Sequence, residues 1–117
     1  MTVPLHDHGK NSDKLLASMP TEANFIKAAD TFQQLCDSTR LKILWLLCHS
    51  EECVYNIAAA VGMSGSAVSH HLRTLKQTGL IQYQRIGKEV HYTLANTAEA
   101  RLVHQMIDDI FEMHCLK

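Results

Sequence analysis

The sequence predicts a mainly α-helical domain with one small β-hairpin near its C-terminal end. Apolar residues recur at spacings of three and four over most of the chain, and the spacing changes to two over residues 80–94. Glycines separate the segments. With 117 residues, 46% apolar and 20% charged, the composition is that of one globular domain. The longest apolar run, Ile43–Cys48, is too short to span a membrane.

Residues 1–21 are polar and contain two prolines, which predicts a flexible N-terminal arm with at most one helical turn at Lys14–Ser18. The arm has no apolar stretch of the kind found in a signal peptide, so a cytoplasmic protein is expected. Residues 22–117 are predicted to form the folded domain.

Three helices are predicted in the first half of this domain. Thr21–Cys36 has one apolar stripe, whereas Thr39–His49 is apolar almost all round and should lie at the centre of the core. A short helix, Val54–Val61, should end at Gly62, which can adopt a positive φ. The candidate N-cap residues are Thr21 or Asn24 for the first helix and Asp37 or Ser38 for the second.

A fourth helix, Gly65–Thr78, is predicted to start after an N-cap at Ser64. Two strands should follow, Leu80–Ile86 and Glu89–Leu94, joined by a type II′ turn at Gly87-Lys88.

The last helix is predicted to start at Asn96, which has Glu99 three residues on as in a capping box, and to run to about His114. It carries more apolar surface than one core face needs. A homodimer is therefore expected, with Met106 and Ile110 buried between the subunits.

A short helix, a glycine turn, a second helix and a hairpin follow one another in the order of a winged helix-turn-helix. Short polar side chains at the start of the second helix would let its backbone approach the edges of bases, and basic side chains further on would reach phosphates. The predicted contacts to double-stranded DNA are Ser64, Ser66, Ser69, His70, Arg73, Arg85 and Lys88.

The net charge of −1 conceals an uneven distribution. Residues 64–94 contain four basic side chains and one acidic one, so this part carries +3 and the remainder −4. A local basic surface is sufficient to attract DNA phosphates.

Six stretches of the sequence match one known family. They are Cys36–Leu44 (CDSTRLKIL), Glu52–Val54, Ser66–Leu72 (SAVSHHL), Leu75-Lys76, Gly79–Ile81 and Gly87–Tyr92 (GKEVHY). Over about residues 22–114 the chain thereby resembles the ArsR/SmtB family of bacterial metal- and redox-responsive repressors. The resemblance implies a homodimeric winged-helix repressor that leaves operator DNA when an inducer binds, with Ser66, Ser69 and His70 at the positions that read DNA.

The resemblance also implies where an inducer could bind. One family site uses a Cys-Val-Cys-Asp core together with ligands from the N-terminal arm, and this chain has the sequence Cys53–Asn56 (CVYN) at that place. We therefore expect a metal site made of Cys53 with His6 and His8. This donor set suits a transition-metal ion, with zinc favoured.

Two alternatives involve other residues. The family's zinc site on the last helix lacks at least two ligands here, but His104, Asp108 and Glu112 recur at four-residue spacing on one helical face and could bind a metal. A thiol-redox switch would instead pair Cys48 with Cys115. A redox branch of the family uses one cysteine on each of these two helices, and each cysteine of this chain lies about one turn beyond the expected position. In a cytoplasm the four cysteines are otherwise expected to be thiols.

A further alternative is a winged-helix interaction module that does not bind DNA. An enzyme is not expected, because the sequence has no G-x-S-x-G, P-loop or H-E-x-x-H motif. No membrane partner is expected either.

Overall fold

The computed structural model describes His6 and residues 11–111. This part of the chain forms six helices and a three-stranded sheet. In chain order the elements are α1 (Ser12–Ala17), α2 (Glu22–Gln34), α3 (Ser38–His49), β1 (Glu52–Cys53), α4 (Val54–Val61), α5 (Gly65–Gln77), β2 (Ile81–Ile86), β3 (Glu89–Leu94) and α6 (Ala98–Ile110). The predicted fold class, mainly helical with a β-hairpin, is confirmed. The structure adds the strand β1, and it places the short helix α1 inside the stretch predicted to be a flexible arm.

Side-chain oxygens cap four of the helices. Thr21 accepts a hydrogen bond from the amide of Asn24 at 3.2 Å, and Asp37 accepts one from the amide of Arg40 at 2.9 Å. The latter bond, aided by the nearby Arg40 and His71 charges, lowers the pKa of Asp37, although desolvation opposes the shift.

The N-cap of α6 differs from the prediction. Thr97 caps this helix rather than Asn96, since the Thr97 hydroxyl accepts a hydrogen bond from the amide of Ala100 at 3.1 Å. The same hydroxyl donates to the carbonyl of Gly79 at 2.9 Å, and Asn96 instead accepts a bond from Arg101. A tertiary contact therefore decides where the helix begins.

The hydrophobic core lies between α3, α4, α5, α6 and the start of the hairpin. As predicted, α3 runs through its centre, and Ile43 and Leu44 are completely buried. Burying one such side chain contributes about 1.5–3 kcal/mol. The core consists of Ile43, Leu44, Leu47, Ile57, Val68, Leu72, Leu75, Leu80, Ile81, Val103 and Ile107.

The sheet is antiparallel with the strand order β1-β3-β2. The two long strands pair in register from Ile81 with Leu94 to Ile86 with Glu89. Gly87 has a φ of 64° at the first turn position, while Lys88 does not adopt a positive φ, in agreement with the predicted type II′ turn. We call β2, β3 and their turn the wing.

Helix α2 contributes little to the core of a single chain. Within it only Gln34 is buried, whereas the side chains of Ile26 and Phe32 are more than 60% exposed. Arg40 holds the end of α2 to α3, since its Nε donates to the carbonyl of Gln34 at 3.0 Å. An apolar helix face is thus left uncovered in the monomer. In the described part of the chain, none of the helices is long and apolar enough to cross a membrane.

Candidate nucleic-acid interface and metal-ligand cluster

The turn between α4 and α5 has the glycine-dependent geometry that the sequence predicts. Gly62 adopts φ 69° and ψ 38°, and the amides of Gly62 and Met63 both donate to the carbonyl of Ala58. The Ser64 hydroxyl then caps α5 by accepting a hydrogen bond from the amide of Ala67 at 3.2 Å. Ser64 thus fixes the start of α5, in addition to the DNA contact predicted for it.

Helix α5 has a buried side and an exposed side. Val68, Leu72 and Leu75 face the core. Ser66, His70 and Arg73 are exposed, as predicted. Ser69 was expected to be exposed but is half-buried, because it lies beside Val68 and one turn before Leu72, at the margin of the buried stripe. The α5 polar face therefore consists of Ser66, His70 and Arg73, with Ser69 at its edge.

The wing carries the two other predicted basic contacts. Arg85 and Lys88 are both exposed, one near the end of β2 and one in the turn. Lys76, on α5, lies with its Nζ 4.4 Å from the ring centroid of Tyr83 on β2. This contact links α5 to the wing, so the two basic regions belong to one unit.

Comparison with known proteins identifies the family. The model of the bacterial regulatory protein arsR family matches residues 37–83. A transcriptional repressor SmtB homolog from Synechocystis sp. is 39% identical over 84 residues, which span 72% of this chain and 64% of that protein. A cadmium resistance transcriptional regulatory protein CadC homolog from Staphylococcus aureus is 37% identical over 83 residues, which span 70% of this chain and 69% of that protein. The chain belongs to the arsR family.

Solved structures agree with this assignment. The chain superposes on HlyU from Vibrio cholerae with a TM-score of 0.71 and 27% identity, covering 80% of this chain and 100% of the other. A homodimeric winged helix-turn-helix DNA-binding domain from Mycobacterium bovis, described as a possible ArsR-family regulator, gives a TM-score of 0.67 and 29% identity over 86% of this chain and 99% of the other. The arsR-family relatives are transcription regulators and not enzymes, and this chain is a transcription regulator of the same family.

The predicted arm site involves residues that the structure describes only in part. Cys53 is buried at the end of β1, where it pairs with His91 of β3, and His6 is exposed. His8 lies outside the described residues. The site formed by Cys53, His6 and His8 stays a prediction.

The structure describes only one cysteine of the predicted thiol pair. Cys48 is half-buried on α3 and packs against the core cluster, while Cys115 lies outside the described residues. Their pairing stays a prediction.

The alternative metal site on α6 gains a residue that the sequence did not indicate. His104 Nε2 lies 3.4 Å from Asp108 Oδ2, and Glu112 lies outside the described residues. His49, at the end of α3, approaches the same carboxylate with its Nε2 at 3.6 Å from Oδ1. Over His6 and residues 11–111, His49, His104 and Asp108 are the one group of three side chains arranged to hold a metal ion. We call it the His-His-Asp cluster.

Sequence reasoning missed His49 because helical spacing relates residues only within one helix. The pairing of α3 with α6 arises from core packing. One sequence signal was available: a histidine at the end of an otherwise buried helix has its ring close to the core.

Proposed function

We propose that this protein is a homodimeric transcriptional repressor that binds operator DNA through α5 and the wing, and that a metal ion releases it. The observation that carries the proposal is the α5 polar face beside the basic wing, with both regions joined by the contact of Lys76 with Tyr83. Four basic side chains and a single acidic one occupy residues 64–94. Such a surface attracts the phosphates on both sides of a groove.

The geometry of α5 supports docking in the major groove. The helix has 13 residues, which corresponds to a length of about 20 Å. Ser66 and His70 can donate and accept hydrogen bonds at base edges, while Arg73 can reach a phosphate. The amide groups at the start of α5 point out of the helix end, which favours a phosphate there as well.

Homodimerisation is proposed from the apolar surface of α2 and α6. A groove between these helices is lined mainly by apolar atoms, and Lys27 of α2 forms an ion pair with Glu99 of α6 at its rim, 3.5 Å apart. Phe32 and Leu102 in this groove are 63% and 72% exposed in one chain. A second subunit would bury them and present two copies of α5 to successive major grooves, about 34 Å apart.

A metal inducer is proposed from the donor groups of the chain and from the relative named for cadmium resistance. Imidazole, thiol and carboxylate groups all occur at the candidate sites, and they suit an ion of the zinc class. Zinc is the ion that we favour. The compartment that fits such a regulator is the cytoplasm, where operator DNA is accessible.

The experiment starts by selecting duplexes from a randomised pool with the reduced, metal-free protein. Binding of the selected duplex is then measured by fluorescence anisotropy as a function of salt. We expect tight, salt-dependent binding, release on adding Zn²⁺, and recovery of binding with a chelator. Failure to enrich any duplex would favour an interaction module.

The same assay separates metal from thiol induction. The protein is a thiol-responsive repressor if three results are obtained together. An oxidant releases the DNA, a reductant but no chelator restores binding, and Cys48→Ser abolishes the response. Cys36→Ser, which changes an exposed thiol in the turn between α2 and α3, is the matched control.

A further inference from the structure

We propose that His49, His104 and Asp108 form a binding site for a divalent ion of the zinc class, which joins the end of α3 to α6 within one subunit. Metal binding at this place does not depend on the protein's being a repressor. The role of the site as the inducer site does rest on the proposed function.

The distances between the donor atoms fit such an ion. One ligand atom from each of the three side chains lies within 4.8 Å of the others. The two contacts to Asp108 are 3.6 Å from His49 Nε2 and 3.4 Å from His104 Nε2. In a tetrahedral site with bonds of about 2.0–2.1 Å, neighbouring ligand atoms lie about 3.3 Å apart. The two contacts to Asp108 are thus within a few tenths of an ångström of the tetrahedral spacing, and the third separation, between the two histidines, is at most 4.8 Å.

The tautomer of His49 is fixed by its other ring nitrogen. His49 Nδ1 lies 2.7 Å from the carbonyl oxygen of Trp45, and a carbonyl can only accept a hydrogen bond. Nδ1 therefore carries a proton, and in the neutral ring Nε2 presents a lone pair. Such support of one ring nitrogen by a backbone carbonyl is typical of histidine ligands of metals, because it orients the other nitrogen.

Two donor atoms of the cluster lack the partners that buried polar atoms normally have. His49 Nε2 and Asp108 Oδ1 are both buried, and neither forms a hydrogen bond with any of the residues that the structure describes. A nitrogen lone pair and a carboxylate oxygen then face each other, which is unfavourable unless a cation lies between them. A metal ion bound by both atoms removes this repulsion. A proton on Nε2 is the competing cation, and the experiment distinguishes the two.

The donor set selects the class of ion. Two imidazoles and one carboxylate suit Zn²⁺, Co²⁺ and Ni²⁺, and three protein ligands leave a coordination position for water. The cluster contains no thiolate, so it favours these ions over softer ones.

The position of the cluster couples ion binding to the proposed DNA-binding surface. His49 is the last residue of α3, directly before β1 and the α4–α5 unit, whereas His104 and Asp108 lie on α6, which carries the proposed dimer face. An ion held by both helices fixes their relative position. If operator DNA binds best to a different relative position, the ion and the DNA oppose each other's binding.

The test is a Co²⁺ titration of the full-length, reduced, metal-free protein, monitored by visible absorption. We expect the d–d bands of a low-coordinate Co²⁺ site with one ion per subunit, and loss of the bands on adding Zn²⁺. His49→Gln, His104→Gln and Asp108→Asn should each weaken Co²⁺ binding by about tenfold or more, as loss of a ligand does.

His91→Gln is the matched control. His91 is also half-buried and contacts two carboxylates, Glu51 at 3.2 Å and Glu89 at 3.3 Å, but among the described residues it belongs to no group of three ligand atoms that could share one ion. This variant should retain the Co²⁺ bands. Circular dichroism checks that each variant is folded. If His49→Gln does not fold, His104→Gln decides, since the half-buried His104 side chain is 31% exposed against 16% for His49.

The outcomes distinguish failure of the metal site from failure of the proposed repressor function. Absence of the bands in the parent, or equal affinity in His49→Gln and the parent, overturns the metal site and leaves a proton as the cation between His49 and Asp108. If His91→Gln loses as much Co²⁺ affinity as the ligand variants, the metal site is overturned as well. If Zn²⁺ still releases DNA from His49→Gln, the role as inducer site is wrong. If the parent binds Co²⁺ as described but no DNA, the repressor function is wrong and the metal site stands.

Discussion

The Nζ of Lys76 lies 4.4 Å from the centroid of the Tyr83 ring, and so connects the last turn of α5 to the first strand of the wing. A cation–π contact at an exposed site contributes about 0.5–1 kcal/mol. Tyr83 in turn lies beside Tyr92 of β3, with the ring centroids 6.0 Å apart. Lys76 therefore couples α5 to the wing, while Arg85 and Lys88 are the exposed basic side chains of the wing itself.

Removing the two serine hydroxyls of α5 should weaken specific DNA binding. The double variant Ser66→Ala and Ser69→Ala should lose about 1–3 kcal/mol for each base contact that is removed. Ser66 should account for most of the loss because it is exposed, while Ser69 is half-buried. Fluorescence anisotropy with the selected duplex measures the effect. Ser38→Ala, which removes an exposed hydroxyl from the start of α3, should bind like the parent. Parental affinity in the double variant would show that the recognition face is misassigned.

The wing should contribute phosphate contacts. Arg85→Ala and Lys88→Ala should each lower the slope of log affinity against log salt by about one, and should weaken all DNA sequences similarly. The slope is obtained from binding curves at a series of salt concentrations. Lys42→Ala, which removes an exposed lysine from α3, is the control and should leave the slope unchanged. An unchanged slope in both wing variants would mean that the hairpin does not reach the DNA backbone.

A charge on the exposed side of α6 should dissociate the dimer. Ile110 is 64% exposed in one chain, so Ile110→Glu should leave the monomer folded but place an unpaired carboxylate in the subunit interface, at a cost of several kcal/mol. Sedimentation velocity should show monomers. Tyr55→Glu, at an 80% exposed position on α4, should stay dimeric. A dimeric Ile110→Glu protein with normal DNA affinity contradicts the proposed interface.

The N-cap of α3, Asp37, should make the free energy of unfolding depend on pH in the acid range. Asp37→Ala should lower the free energy of unfolding by about 1 kcal/mol at pH 7, since the bond to the amide of Arg40 is lost. The pKa of Asp37 is lowered in the folded protein, so its contribution is present above the unfolded value and disappears as the pH falls through the folded value.

Urea unfolding at several pH values measures this effect. The difference between the parent and Asp37→Ala should shrink at acid pH. Asp30→Ala, which removes an exposed carboxylate from the middle of α2, is the matched control. A difference that is constant down to acid pH would mean that the charge of Asp37 contributes nothing to the cap.

The sequence predicts most of the fold because the elements that form the core carry strong periodic patterns. The bounds of α4 are the predicted ones, since Gly62 ends the helix as a local feature of the chain. The second strand of the wing, Glu89–Leu94, is also as predicted, because alternation and the turn at Gly87 are likewise local.

The features that the sequence did not predict depend on contacts between distant segments. Strand β1 has two residues and exists only because Glu52 and Cys53 pair with β3. Thr97 replaces Asn96 as the N-cap because it can also bond to Gly79. The candidate DNA face follows from helical periodicity except at Ser69, where packing decides the exposure. The His-His-Asp cluster needed the structure, since His49 and Asp108 meet only after α3 and α6 have packed.

The Thr97 hydroxyl has a mechanical consequence. By donating to Gly79 at the end of the α5 segment while accepting from Ala100 at the start of α6, it acts as a pivot between the two helices. A swing of α6 about this point would displace residues in proportion to their distance from it, and most of all near Ile110. In the proposed dimer, such a lever would convert a small change of angle beside α5 into a large change in the spacing of the two subunits.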